Sequence, residues 1–263
     1  IVRRYDPIAR YLKTLEAEID LVSAALPGKF EAAFVHWGGG SPTMLRGDDW
    51  RRMHDHLRRT FAFGRAAEIA VEIDPRTATK DYIQALAAAG VNRISLGVQD
   101  FDDKVQTAIR RVQSFAMTER VIDWLRDSGI EAINLDLMYG LPHQTRDIVL
   151  ASIEQAISLR PSRIALFGYA HVPWMKSHQK LIDESALPDS IARFEQSEAA
   201  ASALERAGYH RIGLDHFARP DDSLVTAQKS GRLRRNFQGY TADAAPVLIG
   251  FGASAISALP QGY

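Results

Sequence analysis

The stretch HWGGGSPT, residues 36 to 43, places three consecutive glycines between the apolar residues FVHW and a proline. A tight turn needs only one or two glycines, because each supplies a backbone freedom that other residues lack. A third glycine indicates backbone amide and carbonyl groups that face a ligand with no side chain in the way. The spacing matches neither the GxGxxG of dinucleotide folds nor the GxxxxGK[ST] of phosphate loops.

Polar residues also interrupt or follow each later apolar stretch of the chain. A polar side chain in a buried strand is costly unless it is paired. Several at the same ends of successive strands therefore predict a lined pocket, since ligands of parallel βα folds bind beyond the carboxyl ends of the strands. The residues are Glu72, Asp74, Gln99, Asp100, Asn134, Asp136, Tyr169, Ala170, His171, Asp215 and His216.

The segment from Arg211 to Arg235 is locally basic and runs into the aromatic and amide residues NFQGYT. Guanidinium groups bind carboxylates in a planar, two-pronged geometry. The segment therefore predicts a small anionic, partly aromatic ligand.

The histidines leave one alternative open. His36, His171 and His216 fall near the predicted pocket and suit a three-histidine metal site, although their spacing does not demand one. His54 and His56 belong to a helical stripe, and we expect them on its solvated face.

Helical and strand-like stretches alternate along the chain. Helices are predicted at about 6–26, 50–61, 79–89, 102–110, 117–127, 146–159 and 189–207. Strands are predicted at about 33–37, 68–75, 91–100, 131–142, 162–173 and 210–217, with another strand and turn within 246–257. The strands are largely apolar, as expected when both faces of a parallel sheet are buried. A complete or partial βα barrel fits best, and a doubly wound open sheet is the alternative.

Composition narrows the class of protein. The chain has 263 residues, of which 46% are hydrophobic, and its 32 basic and 32 acidic residues cancel. No global charge marks a nucleic-acid or membrane binder, and no apolar run approaches the roughly 20 residues of a membrane span. We expect a soluble cytoplasmic protein. The chain contains no cysteine, so these residues offer no thiolate ligand.

A set of motifs resembles one family from end to end of the chain, in the family's order. The motifs are HWGGGSPT, VEIDPR, RISLGVQDF, NLDLMYGLPHQT, YAHVP, DHFARPDDSL and RNFQGYT. They are similar to oxygen-independent coproporphyrinogen III oxidase, a radical S-adenosylmethionine (SAM) enzyme of haem synthesis.

The resemblance implies an incomplete (βα)6 barrel of the α/β class. It places a CxxxCxxC cluster motif immediately upstream of a segment like IVRRYDP and a helical domain after a segment like GASAISALPQGY. We therefore expect residues 1–263 to be one barrel domain of a longer enzyme, without a second domain. Because a [4Fe–4S] cluster needs thiolates, we expect these residues alone to be inactive.

The resemblance also implies two bound SAM molecules and the residues that contact them. Those positions are Gly39, Gly40, Ser41, Glu72, Gln99, Arg111, Asp136, Ala170, Phe237 and Ile256. The implied reaction converts two propionates of coproporphyrinogen III to vinyl groups, giving protoporphyrinogen IX, by a 5′-deoxyadenosyl radical. We assign its carboxylates to Arg232, Arg234 and Arg235. The implied partner is a protein that reduces the cluster, and the expected state is a monomer.

Two rivals remain beside the three-histidine hydrolase. One is a haem-binding chaperone or an anaerobic haem-degrading relative. The other is a barrel without a cluster that binds only SAM, porphyrin or a partner protein.

Overall fold

A computed structural model describes residues 4–236 and 238–262. The helices are α1 Asp6–Ala25, α2 Gly47–Thr60, α3 Lys80–Ala88, α4 Asp103–Ala108, α5 Phe115–Asp127, α6 Arg146–Ser158, α7 Ser190–Arg206 and α8 Ser223–Lys229. The strands are β1 Glu31–Trp37, β2 Ala62–Ile73, β3 Arg93–Gln99, β4 Ala132–Tyr139, β5 Arg163–Gly168, β6 His210–Ile212, β7 His216–Ala218, β8 Arg234–Asn236 and β9 Gly239–Thr241. Short 3-10 helices lie at Pro42–Met44, Ser177–Leu181 and Glu184–Ala186.

The main sheet has seven strands in the order β1-β2-β3-β4-β5-β7-β6. The first five strands are parallel neighbours in chain order, each joined to the next through helices. The order never reverses, so the doubly wound alternative is wrong, since that fold has a switch point within the sheet. Within the described ranges β1 and β6 are the two unjoined edges, and the predicted incomplete α/β barrel is confirmed.

The last part of the sheet differs from the prediction of a sixth parallel strand at 210–217. That stretch is a hairpin in which β7 pairs antiparallel with both β5 and β6. Gly213 lies inside it with φ of +60°, a backbone conformation that suits glycine and reverses the chain. The predicted strand within 246–257 is also wrong. Only an isolated bridge joins Leu248 to Ala258 there, and Gly252 turns the backbone at φ of +104°.

Side-chain caps define the helix starts. Six helices begin after a residue whose side-chain oxygen accepts a hydrogen bond from a backbone N–H of the first turn, which satisfies an otherwise unpaired donor. These caps are Thr79, Asp102, Ser114, Thr145, Asp189 and Asp222. Gly90 and Gly208 end α3 and α7 with φ of +95° and +90°, as the sequence predicts for helix terminators.

The central strands have one apolar face and one polar face, not the two apolar faces expected. Alternate residues of β3 and β4 are fully buried against the helices, whereas the residues between them are half-buried. The half-buried residues include Ser95, Gly97, Asn134 and Asp136, and they line the inner face of the barrel. A polar inner face beside a ligand space accounts for the polar residues in otherwise apolar strands.

The prediction of a solvated face for His54 is wrong. Its ring is fully buried and stacks on Trp50 with 4.8 Å between ring centroids. His54 follows Trp50 by four residues and therefore shares the apolar face of α2. His56 is mostly covered and lies 2.9 Å from a carboxylate oxygen of Asp20 on α1.

Within the described ranges, every helix is too short or too polar to cross a bilayer.

Candidate functional site

The glycine loop follows β1 at the carboxyl end of the sheet. Gly39 and Gly40 have φ of +72° and +66°, so both need the freedom that only glycine has at low cost. Gly38 is needed for a different reason. A Cβ on Gly38 would lie 2.6 Å from both Glu72 Oε1 and His36 Nε2, closer than any real contact. The predicted close backbone approach is confirmed, and the nearest group is a carboxylate on the next strand.

Glu72 lies on β2 beside this loop. The Gly39 N–H donates to Glu72 Oε2 at 3.3 Å, and His36 Nε2 lies 3.0 Å from Oε1. Burial raises the pKa of this carboxyl, but the hydrogen bond and charge of His36 outweigh burial and hold the pKa below its usual range. Glu72 is therefore a fixed negative charge next to backbone amides.

Asp136 is the second carboxylate of the inner face, on β4. The Ser95 hydroxyl donates to its Oδ2 at 3.0 Å, and Asn134 Nδ2 donates to its Oδ1 at 2.7 Å. Burial nevertheless raises the pKa of Asp136 to about 6, and the charge of Glu72 acts in the same direction. The Asn134 Oδ1 is buried without a hydrogen-bond partner. An unpaired acceptor beside a carboxylate suits a ligand that brings N–H or O–H donors.

Arg111 supplies the cationic part of the site. Its Nη2 donates to the Gly97 carbonyl at 2.8 Å and lies 3.6 Å from Asp74 Oδ2, while its Nε is buried without a partner. A Cβ on Gly97 would lie 3.1 Å from Arg111 Nη2 and 3.0 Å from Gln99 Nε2. Gly97 therefore leaves room for the Gln99 and Arg111 side chains to meet. Burial lowers the pKa of Arg111, although Asp74 and Asp136 oppose this effect.

Asp100, predicted as a pocket residue, instead fixes the loop that carries Arg111. It is 1% exposed and accepts from Ser152 Oγ at 3.0 Å, from the Asp102 N–H and from Gln144 Nε2. Its backbone carbonyl accepts from Gln106 Nε2 at 2.8 Å, and the Arg111 N–H donates to the Gln106 carbonyl at 2.8 Å. Burial raises the pKa of Asp100. Its role is to position the loop that holds Arg111.

The remaining predicted cofactor contacts lie around this centre. Ser41 follows the glycine loop, and its Oγ lies 3.0 Å from Thr43 Oγ1. Ala170 is an exposed residue after β5 whose carbonyl accepts from Gln179 Nε2. Ile256 is 47% exposed in a segment whose Ser254 Oγ would be 3.6 Å from a Cβ on Gly39. Phe237 lies outside the described residues.

The structure does not group the three predicted substrate arginines. All three are exposed. Arg232 Nε donates to Ser230 Oγ, Arg234 Nη1 lies 3.4 Å from the Ala244 carbonyl, and Arg235 lies 3.6 Å from Asp215 Oδ2. Arg234 and Arg235 are neighbours on β8 and point to opposite faces, because successive side chains of a strand alternate. Only Arg235 lies beside the pocket residues Asp215 and His216.

The three-histidine metal site is wrong. His36, His171 and His216 each contact a different carboxylate, in Glu72, Glu184 and Asp215 respectively. In the ranges 4–236 and 238–262, no three groups of metal-ligating type come together.

The centre fits SAM but not a cluster. Glu72 and Asp136 accept from an ammonium or hydroxyl group, Arg111 donates to a carboxylate, and the glycines allow a close approach. SAM carries an ammonium, a carboxylate, ribose hydroxyls and a positive sulfonium. A [4Fe–4S] cluster does not fit, because the 263 residues include no cysteine.

Sequence reasoning missed several residues of the site. Ser95 donates to Asp136, and Arg76 donates to Asp74 at 3.0 and 2.6 Å. Ser95 precedes Gly97 and Gln99 by even steps, so a period of two along β3 carries the signal for it. Arg76 has no such signal, since its contact depends on the turn after β2.

Comparison with known proteins agrees with this geometry. Residues 3–156 match the model of the radical SAM superfamily. Oxygen-independent coproporphyrinogen III oxidase of Bradyrhizobium diazoefficiens is 53% identical over 263 residues, which are 100% of this chain and 58% of that protein. The enzyme of the same name from Synechocystis is 41% identical over 264 residues, which cover 100% of this chain and 57% of that protein.

Among solved structures, coproporphyrinogen III oxidase from Escherichia coli superimposes with a TM-score of 0.95 at 38% identity. The match covers 98% of this chain and 59% of that one. The chain thus spans less than two thirds of the length of these relatives. More than half of its own residues match one family model, and the glycine loop, Glu72 and Gln99 all lie within that matched part. The chain belongs to the radical SAM superfamily.

Proposed function

We propose that this chain is the SAM-binding barrel of an oxygen-independent coproporphyrinogen III oxidase. The observation that carries the proposal is the grouping of two carboxylates and one guanidinium, Glu72, Asp136 and Arg111, around the glycine loop at the carboxyl ends of β1 to β4. The relatives named above support the choice of activity, since the match runs across the whole of this chain.

Each group of the centre has a defined task toward SAM. Glu72 accepts from the ammonium group, with the glycine backbone beside it. Arg111 donates to the methionine carboxylate, because a guanidinium is the natural partner of that group. Asp136 and the free Asn134 Oδ1 accept from ribose hydroxyls. Ser41, Gln99, Ala170, Phe237 and Ile256 flank the cofactor in this proposal.

The proposal includes two SAM molecules. Glu72 and Asp136 have separate hydrogen-bonding partners, His36 with Gly39 and Ser95 with Asn134, so each carboxylate can serve a different molecule. Isothermal titration gives the stoichiometry directly, and a ratio of one would contradict this part.

The reaction is the oxidative decarboxylation of two propionates of coproporphyrinogen III to vinyl groups. SAM, when bound together with a reduced cluster, supplies the radical chemistry. The residues of this chain bind and orient SAM and keep water from the inner face of the barrel. Cluster ligands, the reductant protein, a monomeric state and a cytoplasmic location belong to the proposal for the complete gene product.

The first test uses this chain and SAM alone. Glu72→Gln removes one charge from the centre, and we expect a Kd at least tenfold higher by isothermal titration. The matched control is Glu68→Gln, which lies four residues earlier on the same face of β2 and pairs with Arg93 instead. Equal SAM affinity of both variants and the unchanged chain would remove Glu72 from the site.

The second test uses the complete gene product after anaerobic cluster reconstitution. We expect 5′-deoxyadenosine and protoporphyrinogen IX when a reductant is supplied. Absence of 5′-deoxyadenosine would overturn the radical reading. Tight haem binding without decarboxylation would favour a haem chaperone or haem-degrading enzyme. A coding sequence without CxxxCxxC upstream of Ile1 would favour a barrel that only binds SAM or porphyrin.

A further inference from the structure

Arg193 of α7 lies against the carboxyl ends of β4 and β5, away from the centre described above. A Cβ on Gly140, just after β4, would lie 2.5 Å from Arg193 Nη1. A Cβ on Gly168, the last residue of β5, would lie 3.3 Å from Arg193 Nη2. Two glycines therefore make room for one guanidinium at the edge where ligands of this fold bind.

The guanidinium of Arg193 has no anionic partner. Among the described residues it makes neither a hydrogen bond nor an ion pair, and its one ring contact is with Tyr139, 5.8 Å from the ring centroid. Other half-buried arginines of the sheet differ, since Arg163 donates to both carboxylate oxygens of Asp222 and Arg93 lies 2.9 Å from Glu68. A partly buried cation without a partner is a good binding site for an anion, because its desolvation is already paid for by the fold.

Tyr139 adds a second donor at the same place. Its Oη would be 2.9 Å from the Gly168 Cβ position, so this hydroxyl and Arg193 Nη2 converge there. Tyr139 and Gly168 also line a cavity of about 260 Å³ between α7 and the end of the sheet. A guanidinium and a hydroxyl at one opening form a set of donors suited to a carboxylate.

Contacts of α7 hold Arg193 in this position. Gln196, one turn further along α7, accepts from the Gly140 N–H at 2.9 Å and donates to the Gln144 carbonyl at 2.8 Å. Gln196 is 1% exposed, so these bonds are shielded from water. The helix turn that carries Arg193 is therefore fixed to the same loop as Gly140, and the guanidinium is preorganised.

We propose that Arg193, with Tyr139, binds a carboxylate of the substrate. The inference rests on the proposed function, in which the substrate carries four carboxylates. It moves the principal anion site from Arg232 and Arg234, which are exposed and point away from the pocket residues, to a preorganised pair of donors at β4 and β5.

The test measures substrate affinity of the complete gene product and its variants. The binding probe is coproporphyrin III, the oxidised form with the same four carboxylates, followed by its fluorescence. We expect Arg193→Gln to raise its Kd and the KM for coproporphyrinogen III at least tenfold, with kcat within twofold and SAM affinity unchanged. Arg193→Lys should recover part of the loss, and Tyr139→Phe should raise KM several-fold. The tetramethyl ester of coproporphyrin III should bind equally to the unchanged protein and to Arg193→Gln.

Arg206→Gln is the matched control, because Arg206 is an exposed arginine at the end of the same helix. It should leave affinity unchanged, and urea unfolding should give the same midpoint for both variants. If Arg193→Gln keeps the normal KM and probe affinity, the inference is wrong while the proposed function stands. If the unchanged protein neither binds the probe nor forms protoporphyrinogen, the proposed function fails first.

Discussion

At Asp136, burial and hydrogen bonding act in opposite directions on one carboxyl group. Ser95 and Asn134 donate to it and stabilise its charged form, yet burial dominates and raises its pKa to about 6. Glu72 has the opposite balance, because His36 and a backbone N–H lie against it. The two carboxylates therefore differ in charge between about pH 4 and 6, and a ligand with hydroxyl groups relieves the strain at Asp136.

We predict that Asp136→Asn stabilises the ligand-free protein at pH 7.5 but not at pH 4. The folded protein holds the Asp136 proton more tightly than the unfolded chain, whose pKa is near 3.8. Stability is therefore present at low pH and is lost as pH rises from about 4 to 6. The variant lacks this loss, so it gains about 1–3 kcal/mol at pH 7.5, the lower figure applying because the side chain keeps some contact with water. Urea unfolding at both pH values measures it, and an equal difference at the two pH values would contradict it.

At the scale of elements, two loops at the carboxyl end of the sheet do different work. The glycine loop after β1 brings backbone amides to Glu72. The loop after β3 carries Arg111 and is fixed through the buried carboxylate of Asp100. Gln99 and Arg110 have φ of +71° and +55°, so this loop holds two residues in a conformation that L side chains rarely adopt. The buried hydrogen bonds of Asp100 compensate that strain.

We predict that Gly38→Ala weakens SAM binding with little loss of stability. Its Cβ would displace the flexible end of Glu72, since Glu72 Oε1 lies 2.6 Å away, and φ at Gly38 is not in the left-handed region. We expect a Kd about tenfold higher and a free energy of unfolding within about 1 kcal/mol of the original.

Gly129→Ala is the complementary control. Gly129 has φ of +83° and open space around it, far from the site in the sequence of elements, after α5. It should cost about 1–2 kcal/mol of stability and leave SAM affinity unchanged. A loss of affinity in this variant, or a large loss of stability in Gly38→Ala, would contradict the distinction.

Much of this element arrangement follows from local signals in the sequence. Helix starts at Thr79, Ser114 and Thr145 were predictable because capping is a contact between residues two or three apart. The direction of β7 was not, since it depends on pairing with β5, about fifty residues earlier. For the site, the glycine loop, Glu72 and Asp136 are apparent as exceptions within apolar strands. The contact of Arg193 with Gly140 and Gly168 joins three separate elements, and no local pattern contains it.

At the scale of the whole molecule, the last part of the chain returns to the first helix. The Gly252 N–H donates to Glu18 Oε2 at 3.0 Å, and the Ala253 N–H donates to Tyr11 Oη at 3.2 Å. Phe251 packs on Phe61 with 6.0 Å between ring centroids. These contacts place Ser254 beside the glycine loop. Whether residues 1–263 form one domain stays a prediction.

We predict that Tyr11→Phe loosens this return segment without unfolding the protein. The substitution keeps the ring and removes the oxygen that accepts from Ala253. Amide hydrogen exchange in residues 250–258 should become several-fold faster, as expected for the loss of one hydrogen bond worth about 1 kcal/mol. Tyr5→Phe is the control, because Tyr5 bonds Asp49 and the Arg46 N–H instead. Unchanged exchange in Tyr11→Phe would show that the hydrogen bond does not hold the segment.

The return segment also sets an order of events during synthesis. The bonds from Gly252 and Ala253 join residues 234 and 242 positions apart in the chain. At about 5–20 residues per second, the ribosome needs on the order of 10–50 s between making the two ends of these contacts. During that interval β1 and its glycine loop are already made but lack one neighbour. A nascent chain therefore completes the surroundings of its ligand loop only after nearly all of these residues have been translated.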